Sequence, residues 1–144
     1  MGDTLPKHVM VLAGSGLLPY LGAAVMLAAG PVGLAATVAE LLADYSFGII
    51  AFLVGAWWGL TLIRRIPVAL YLSNGVFLAA FFGHALLPVA AWLLMAAVLM
   101  LVIWWAEGWH RLFRPQPIYY RRVRGVLSVV AAGSLVASAG LAGG

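Results

Sequence analysis

Residues 66–106 read IPVALYLSNGVFLAAFFGHALLPVAAWLLMAAVLMLVIWWA, 41 consecutive positions without an Asp, Glu, Lys or Arg. As one helix this stretch would extend about 60 Å, twice the ~30 Å hydrocarbon core of a bilayer, so it must fold back on itself. The region from Gly83-His84 to Pro88 is the best hinge, because Gly and Pro punctuate helices. One span is therefore expected over about 67–82 and the next over about 87–106. The same accounting outward finds uncharged gaps at 8–39, 45–63 and 125–144, of 32, 19 and 20 residues. These hold a first span over about 9–29 stopped by Gly30-Pro31, a second over about 47–63 closed by Arg64-Arg65, and a fifth over about 126–143. The expected fold is an all-α integral membrane protein, one membrane domain over residues 1–144 with five transmembrane helices.

Composition agrees. Hydrophobic residues make up 65% of the chain and charged ones 8%, against roughly 25% charge in an ordinary soluble domain. A water-soluble globule is excluded, and five crossings leave no room for a soluble catalytic domain. The chain has no cysteine, which removes disulfides, thiolate metal sites and cysteine nucleophiles. A net charge of +4 with a pI near 10 would point to nucleic acid in a soluble protein. In a membrane chain the expected partners are the bilayer itself and anionic lipid headgroups, with no nucleic acid. A signal peptide is the competing reading of the first span, but its apolar run exceeds the 7–15 residues of such a segment.

Between the first two spans, Val32 to Tyr45 sorts its residues at helical spacing: Thr37, Glu40 and Asp44 on one face, Leu34, Val38, Leu41 and Tyr45 on another. That pattern predicts a short interfacial amphipathic helix over 32–45. Five spans place Lys7, Arg64, Arg65, Arg111, Arg114, Arg121, Arg122 and Arg124 on one side of the membrane, and Glu40, Asp44 and His84 on the other. The positive-inside rule then predicts a cytoplasmic N-terminus and an external C-terminus. Arg64, Arg65, Trp109, Tyr119, Tyr120, Arg121, Arg122 and Arg124 are expected at the cytoplasmic membrane interface, with Trp104 and Trp105 bracketing the same basic loop.

Three short signatures carry a resemblance. The first is Gly16-Leu17-Leu18-Pro19-Tyr20. The second is Tyr45 followed by Ala51-Phe52-Leu53-Val54-Gly55-Ala56-Trp57-Trp58-Gly59, and the third is Tyr119-Tyr120-Arg121-Arg122-Val123-Arg124. In pattern and order they resemble a family of small membrane proteins of unknown function that includes transmembrane protein 69 and bacterial relatives. The second signature departs from that pattern with Ala51 for Ser, Val54 for Gly and Trp57 for His or Arg. The resemblance implies a five-helix, multi-pass protein of the bacterial inner (plasma) membrane and supplies no reaction.

Candidate functional residues are few. Gly55 and Gly59, with Trp58 between them, form a GxxxG pattern, and Gly133, Ala137 and Gly140 line one face of the fifth span. Small residues at such spacing let helix backbones approach in lipid, so both sets are read as helix-packing surfaces, either within the bundle or toward another subunit or copy. Of the adjacent tryptophans Trp57 and Trp58, one is expected to give its indole N–H to Asn74 or Ser73. Glu107 stands four residues before Arg111, which reads as a helix-surface pair; the alternative is a proton or cation acceptor near Arg64 or Arg65. Asn74 is the most polar side chain at depth, read as interhelical glue rather than an ion ligand. Because no charge is expected at the bilayer centre, proton-coupled transport by a monomer is disfavoured.

No cofactor, metal site or catalytic residue is expected. His8 and His110 sit at helix ends rather than at a haem site, and Ser15 lacks a histidine base at its depth. The function expected is that of a non-enzymatic accessory, assembly or scaffold component packing with a membrane complex; the alternative is a small carrier or oligomeric pore.

Overall fold

The computed structural model describes residues 5–109 and 117–143. Among these, six helices follow one another: α1 (Leu5–Ser15), α2 (Leu18–Ala29), α3 (Ala35–Arg64), α4 (Val68–Leu86), α5 (Val89–Trp109) and α6 (Ile118–Ala142). One 3₁₀ turn, Val32–Leu34, precedes α3. With α1 and α2 taken together as Pro6–Ala29, five helical segments are long and apolar enough to cross a membrane. The architecture is that of an all-helical, multi-pass membrane protein.

At the centre lies α5, packed most extensively on α6 and also on α3. Its buried residues Leu93, Ala96, Ala97, Met100, Ile103 and Glu107 recur every three or four positions and so form one face. Opposite them α6 offers Ala131, Ala132, Leu135, Ser138 and Ala139, mostly small side chains that bring the two backbones together. The outer face of α5 is equally apolar, with Leu94, Val98, Val102 and Trp105 exposed. That is the arrangement for a helix whose other side meets lipid.

Three expectations about boundaries need correction. The first span is interrupted: Pro19 has no N–H to offer the Ser15 carbonyl, and the chain turns at Gly16-Leu17, where the Leu17 amide bonds the Gly14 carbonyl at 3.0 Å. The expected interfacial helix over 32–45 is not separate from the second span. No Pro or Gly interrupts residues 35–47, and one buried face runs unbroken through Ala39, Leu42, Ala43, Ser46, Ile50, Val54, Trp57 and Thr61. Its expected apolar face is divided, with Leu34 and Leu41 exposed, Leu41 by 63%, while Val38 and Tyr45 are half-buried. The exposed Asp44 and Arg64 are 20 residues apart, about 30 Å along a helix, which matches the hydrocarbon thickness and leaves the first turns of α3 beyond it.

The third correction concerns the end of the third span. The turn lies within the expected Gly83–Pro88 region but at its proline end: α4 runs past residue 82 through Gly83 and His84 to Leu86 and is capped by Leu87, whose ψ of 148° is the extended backbone that a following proline imposes. Gly83 serves packing instead. A Cβ there would stand 2.6 Å from Met95 Sδ and 3.1 Å from Trp92 Cε3, so its absence lets α4 close against α5 just before the turn.

Candidate functional site

The polar groups of the bundle gather at two levels. At the level where α3 nears its end, Glu107 of α5 turns inward and is only 8% exposed. Its carboxylate receives three donors: Arg124 Nε on Oε2 at 2.9 Å, Arg124 Nη2 on Oε1 at 2.9 Å, and Trp57 Nε1 on Oε1 at 3.3 Å. A buried carboxylate requires pairing and hydrogen bonds of this kind, and the planar guanidinium fork supplies two at once. The site therefore clasps α3, α5 and α6 together. Tyr120 and Ser128 lie one turn to either side of Arg124 along α6, at the i−4 and i+4 positions.

Several expectations change here. Glu107 is not a surface group, and the partners its carboxylate shows are Arg124 and Trp57. Arg111, its expected partner, lies outside the described residues. Arg124, expected at the membrane interface, is drawn into the bundle, where its side chain is 11% exposed. The indole of Trp57 finds Glu107 rather than Asn74 or Ser73. Both of those bond back to the Leu70 carbonyl of their own helix, and Asn74 is exposed, so among the described residues its side chain shows no hydrogen bond to another helix.

At the second level, three successive residues of α3 reach three neighbours, because each step along a helix turns the side chain about 100°. The Ala43 carbonyl accepts the Trp92 indole of α5 at 3.1 Å. Asp44 Oδ1 lies 2.9 Å from His84 Nε2 of α4, and the imidazole also rests against Phe47 and Trp92. Tyr45 donates its hydroxyl to the Gly16 carbonyl at 2.8 Å, at the break between α1 and α2, while its ring meets Tyr20 edge-on at 5.3 Å. Sequence reasoning placed Asp44 and His84 on one side of the membrane but assigned none of these pairings.

The residues of the three signatures thus meet in space. Tyr45 of the second touches Gly16 and Tyr20 of the first, and Trp57 of the second shares Glu107 with Arg124 of the third. A family model for proteins of unknown function, DUF3429, matches residues 5–140. The chain belongs to the DUF3429 family. No curated protein and no solved structure matches it. The DUF3429 match spans both polar levels and every helix described above.

Two cavities flank the Glu107 site in this DUF3429 chain. One, about 650 Å³, opens between α4 and α5 where the helices part below their turn, and is walled by Trp57, Leu72, Val76, Val102, Trp105 and Trp109 among others. The second, about 400 Å³, lies between α1, α3 and α6 and includes Tyr120, Arg124 and Ser128 in its wall. Apart from those groups and Tyr20 it is bounded by hydrocarbon.

The expected packing residues are all turned away from their own bundle. Gly55 and Gly59 are exposed, and a Cβ at either would meet nothing within 4 Å; the same holds for Gly133 and Gly140. Ala137 is exposed beside them, and Trp58 is half-exposed. Packing inside the bundle is done by the neighbouring faces, Val54 and Trp57 on α3 and Ser134, Leu135 and Ser138 on α6. The interface set divides similarly: Arg64, Arg65, Trp109, Arg121 and Arg122 are exposed, Tyr119 and Tyr120 are half-buried, and Arg124 is turned in.

Proposed function

We propose that this protein is a non-enzymatic component of the bacterial inner membrane that works by packing its helices against other membrane subunits or further copies of itself, as an accessory or assembly factor. The observation that carries this reading is the outward placement of both small-residue faces, Gly55/Gly59 on α3 and Gly133/Ala137/Gly140 on α6, which are exposed, with no described residue within 4 Å of where a Cβ would stand at the four glycines. Hydrocarbon gains little from contact with glycine, whereas a second helix gains close backbone approach there. The groove between the parted α4 and α5, edged by Trp105 and Trp109, adds a third surface of suitable shape. Both cavities are walled mainly by hydrocarbon, which favours packing over a small carrier or pore.

The threading that goes with this reading has a cytoplasmic N-terminus and an external C-terminus. Exposed Arg64, Arg65, Arg121 and Arg122 then meet anionic headgroups at the cytoplasmic face. Kinship with transmembrane protein 69 rests on the three signatures, whose residues pair with one another as described. The test is a cysteine crosslinker at position 59 or 137 in native membranes, in a chain with no cysteine of its own. Discrete higher-mass products that vanish with Gly133→Leu or Gly55→Leu are expected. A free monomer on native gels at natural expression, with no crosslinks from either face, would overturn the proposal.

A further inference from the structure

The break at Gly16-Leu17 has a geometric consequence for α1. Beyond it α2 packs on both α3 and α6, whereas α1 packs chiefly on α6 and swings off α3. The gap is the 400 Å³ cavity, a slot bounded by Val9, Leu12 and Ala13 of α1, Ile49, Phe52 and Leu53 of α3, Met100 of α5 and the 120–131 face of α6. Its rim residues Leu12 and Phe52 are each 72% exposed, so the slot opens sideways toward surrounding hydrocarbon. Its volume is within the roughly 300–1,000 Å³ of ligand sites.

One end of the slot is polar. Tyr120 and Arg124 line it there. Arg124 gives Nε and Nη2 to Glu107, and its guanidinium has further N–H donors on Nη1. Val9 and Tyr120 share this wall, so Lys7, two residues before Val9, and Arg121 and Arg122, directly after Tyr120, are at the same end; all three are exposed. The Glu107–Arg124 pair is neutral as a unit, and these three cations make the mouth positive. One turn deeper, about 6 Å along α6, Ser128 also lines the slot. It is 2% exposed, and its hydroxyl has no hydrogen-bond partner among the described residues. A buried hydroxyl without a partner is costly, and one on a residue that walls a ligand-sized cavity points to an acceptor that the ligand brings.

We propose that this slot holds one acyl chain of an anionic phospholipid, with the phosphate at Tyr120 and Arg124 and an ester oxygen accepting from Ser128. The lateral opening selects a ligand that arrives from the bilayer. The positive mouth selects the anionic headgroup, and a phosphate followed more deeply by an ester oxygen matches the order of donors along α6. This does not rest on the partner-packing reading: lipid retention and subunit crosslinking are separate measurements on separate residues.

The experiment is native mass spectrometry of protein purified in mild detergent and titrated with phosphatidylglycerol, phosphatidylcholine or palmitate. Wild type is expected to hold one phosphatidylglycerol at least roughly tenfold more tightly than phosphatidylcholine, a difference of about 1.4 kcal/mol. Ala13→Trp, which fills the slot from the outlying helix α1, abolishes that adduct. Ser128→Ala weakens it roughly fivefold while leaving thermal stability unchanged or raised, since the hydroxyl it removes is unpartnered. Any of four results would overturn the proposal: no phospholipid retained by wild type, equal affinity for the two phospholipids, undiminished binding in both variants, or binding of palmitate alone.

Discussion

Replacing Arg124 by leucine tests the energetics of the buried site. Arg124 supplies two of the three hydrogen bonds to Glu107, both at 2.9 Å, and the two side chains are 11% and 9% exposed. Leucine at 124 leaves a carboxylate inside the bundle with only the longer Trp57 contact, and breaking one side of such a buried pair costs about 3–5 kcal/mol. Glu107→Gln should cost less, because the long arginine stem can carry its freed charge out to the headgroups while the amide oxygen still accepts from Trp57. The double variant Glu107→Gln/Arg124→Leu buries no charge. It should regain most of the loss and finish within about 2 kcal/mol of wild type, so the two substitutions are coupled by well over 0.5 kcal/mol. Titration of the detergent-solubilised protein with sodium dodecyl sulfate, followed by tryptophan fluorescence, measures all four corners of this cycle. An Arg124→Leu cost below about 1 kcal/mol, or a double variant equal to the sum of the singles, would refute the buried-pair reasoning.

The same titration checks three further expectations. Asp44→Asn should lower stability by less than about 1 kcal/mol, since Asp44 is 70% exposed and its contact with His84 is screened by water; a loss as large as that of Arg124→Leu would contradict it. Gly83→Val should cost about 1–3 kcal/mol through overpacking against Met95 and Trp92, whereas Gly55→Val, on an open face, should leave the isolated monomer nearly unchanged. Equal effects at the two glycines would show that the assigned faces are wrong. Tyr45→Phe leaves the Gly16 carbonyl without its donor at the break between α1 and α2 and should cost about 1–3 kcal/mol. The accompanying sign is faster proteolysis or hydrogen exchange confined to α1, and protection equal to wild type there would count against the latch.

How far the sequence could be read depended on whether a charge marked water or a partner. Treating every charge as a boundary located four uncharged stretches, since Lys7, Arg64, Arg65, Arg121 and Arg122 are in fact exposed, and the length of one of them with its Gly and Pro residues gave the fifth segment. It ended the fourth span at Ala106, one residue before Glu107, although α5 continues through that residue to Trp109. The carboxylate is neutralised by an arginine 17 residues further along the chain, and a one-dimensional count cannot see that pairing. A usable signal did exist: over residues 107–124 Glu107 is the one acid against five arginines, and such an acid is expected to meet one of them. Which arginine it meets depends on how α5 and α6 pack. Helix faces were less legible than spans for a related reason. Around Gly55 and Gly133 both sides of the helix are apolar or small, because lipid and protein interior make similar demands, so periodicity could not tell outward from inward.

The claim on which the rest depends is that the polypeptide crosses the bilayer an odd number of times, which places Lys7 and Leu141 on opposite sides. The chain has no cysteine, so single cysteines at these two positions can be labelled without background. In intact cells a membrane-impermeant maleimide should react with the cysteine at 141 and reach the one at 7 only after the membrane is opened. Labelling of both positions from the same side would contradict the five-span threading.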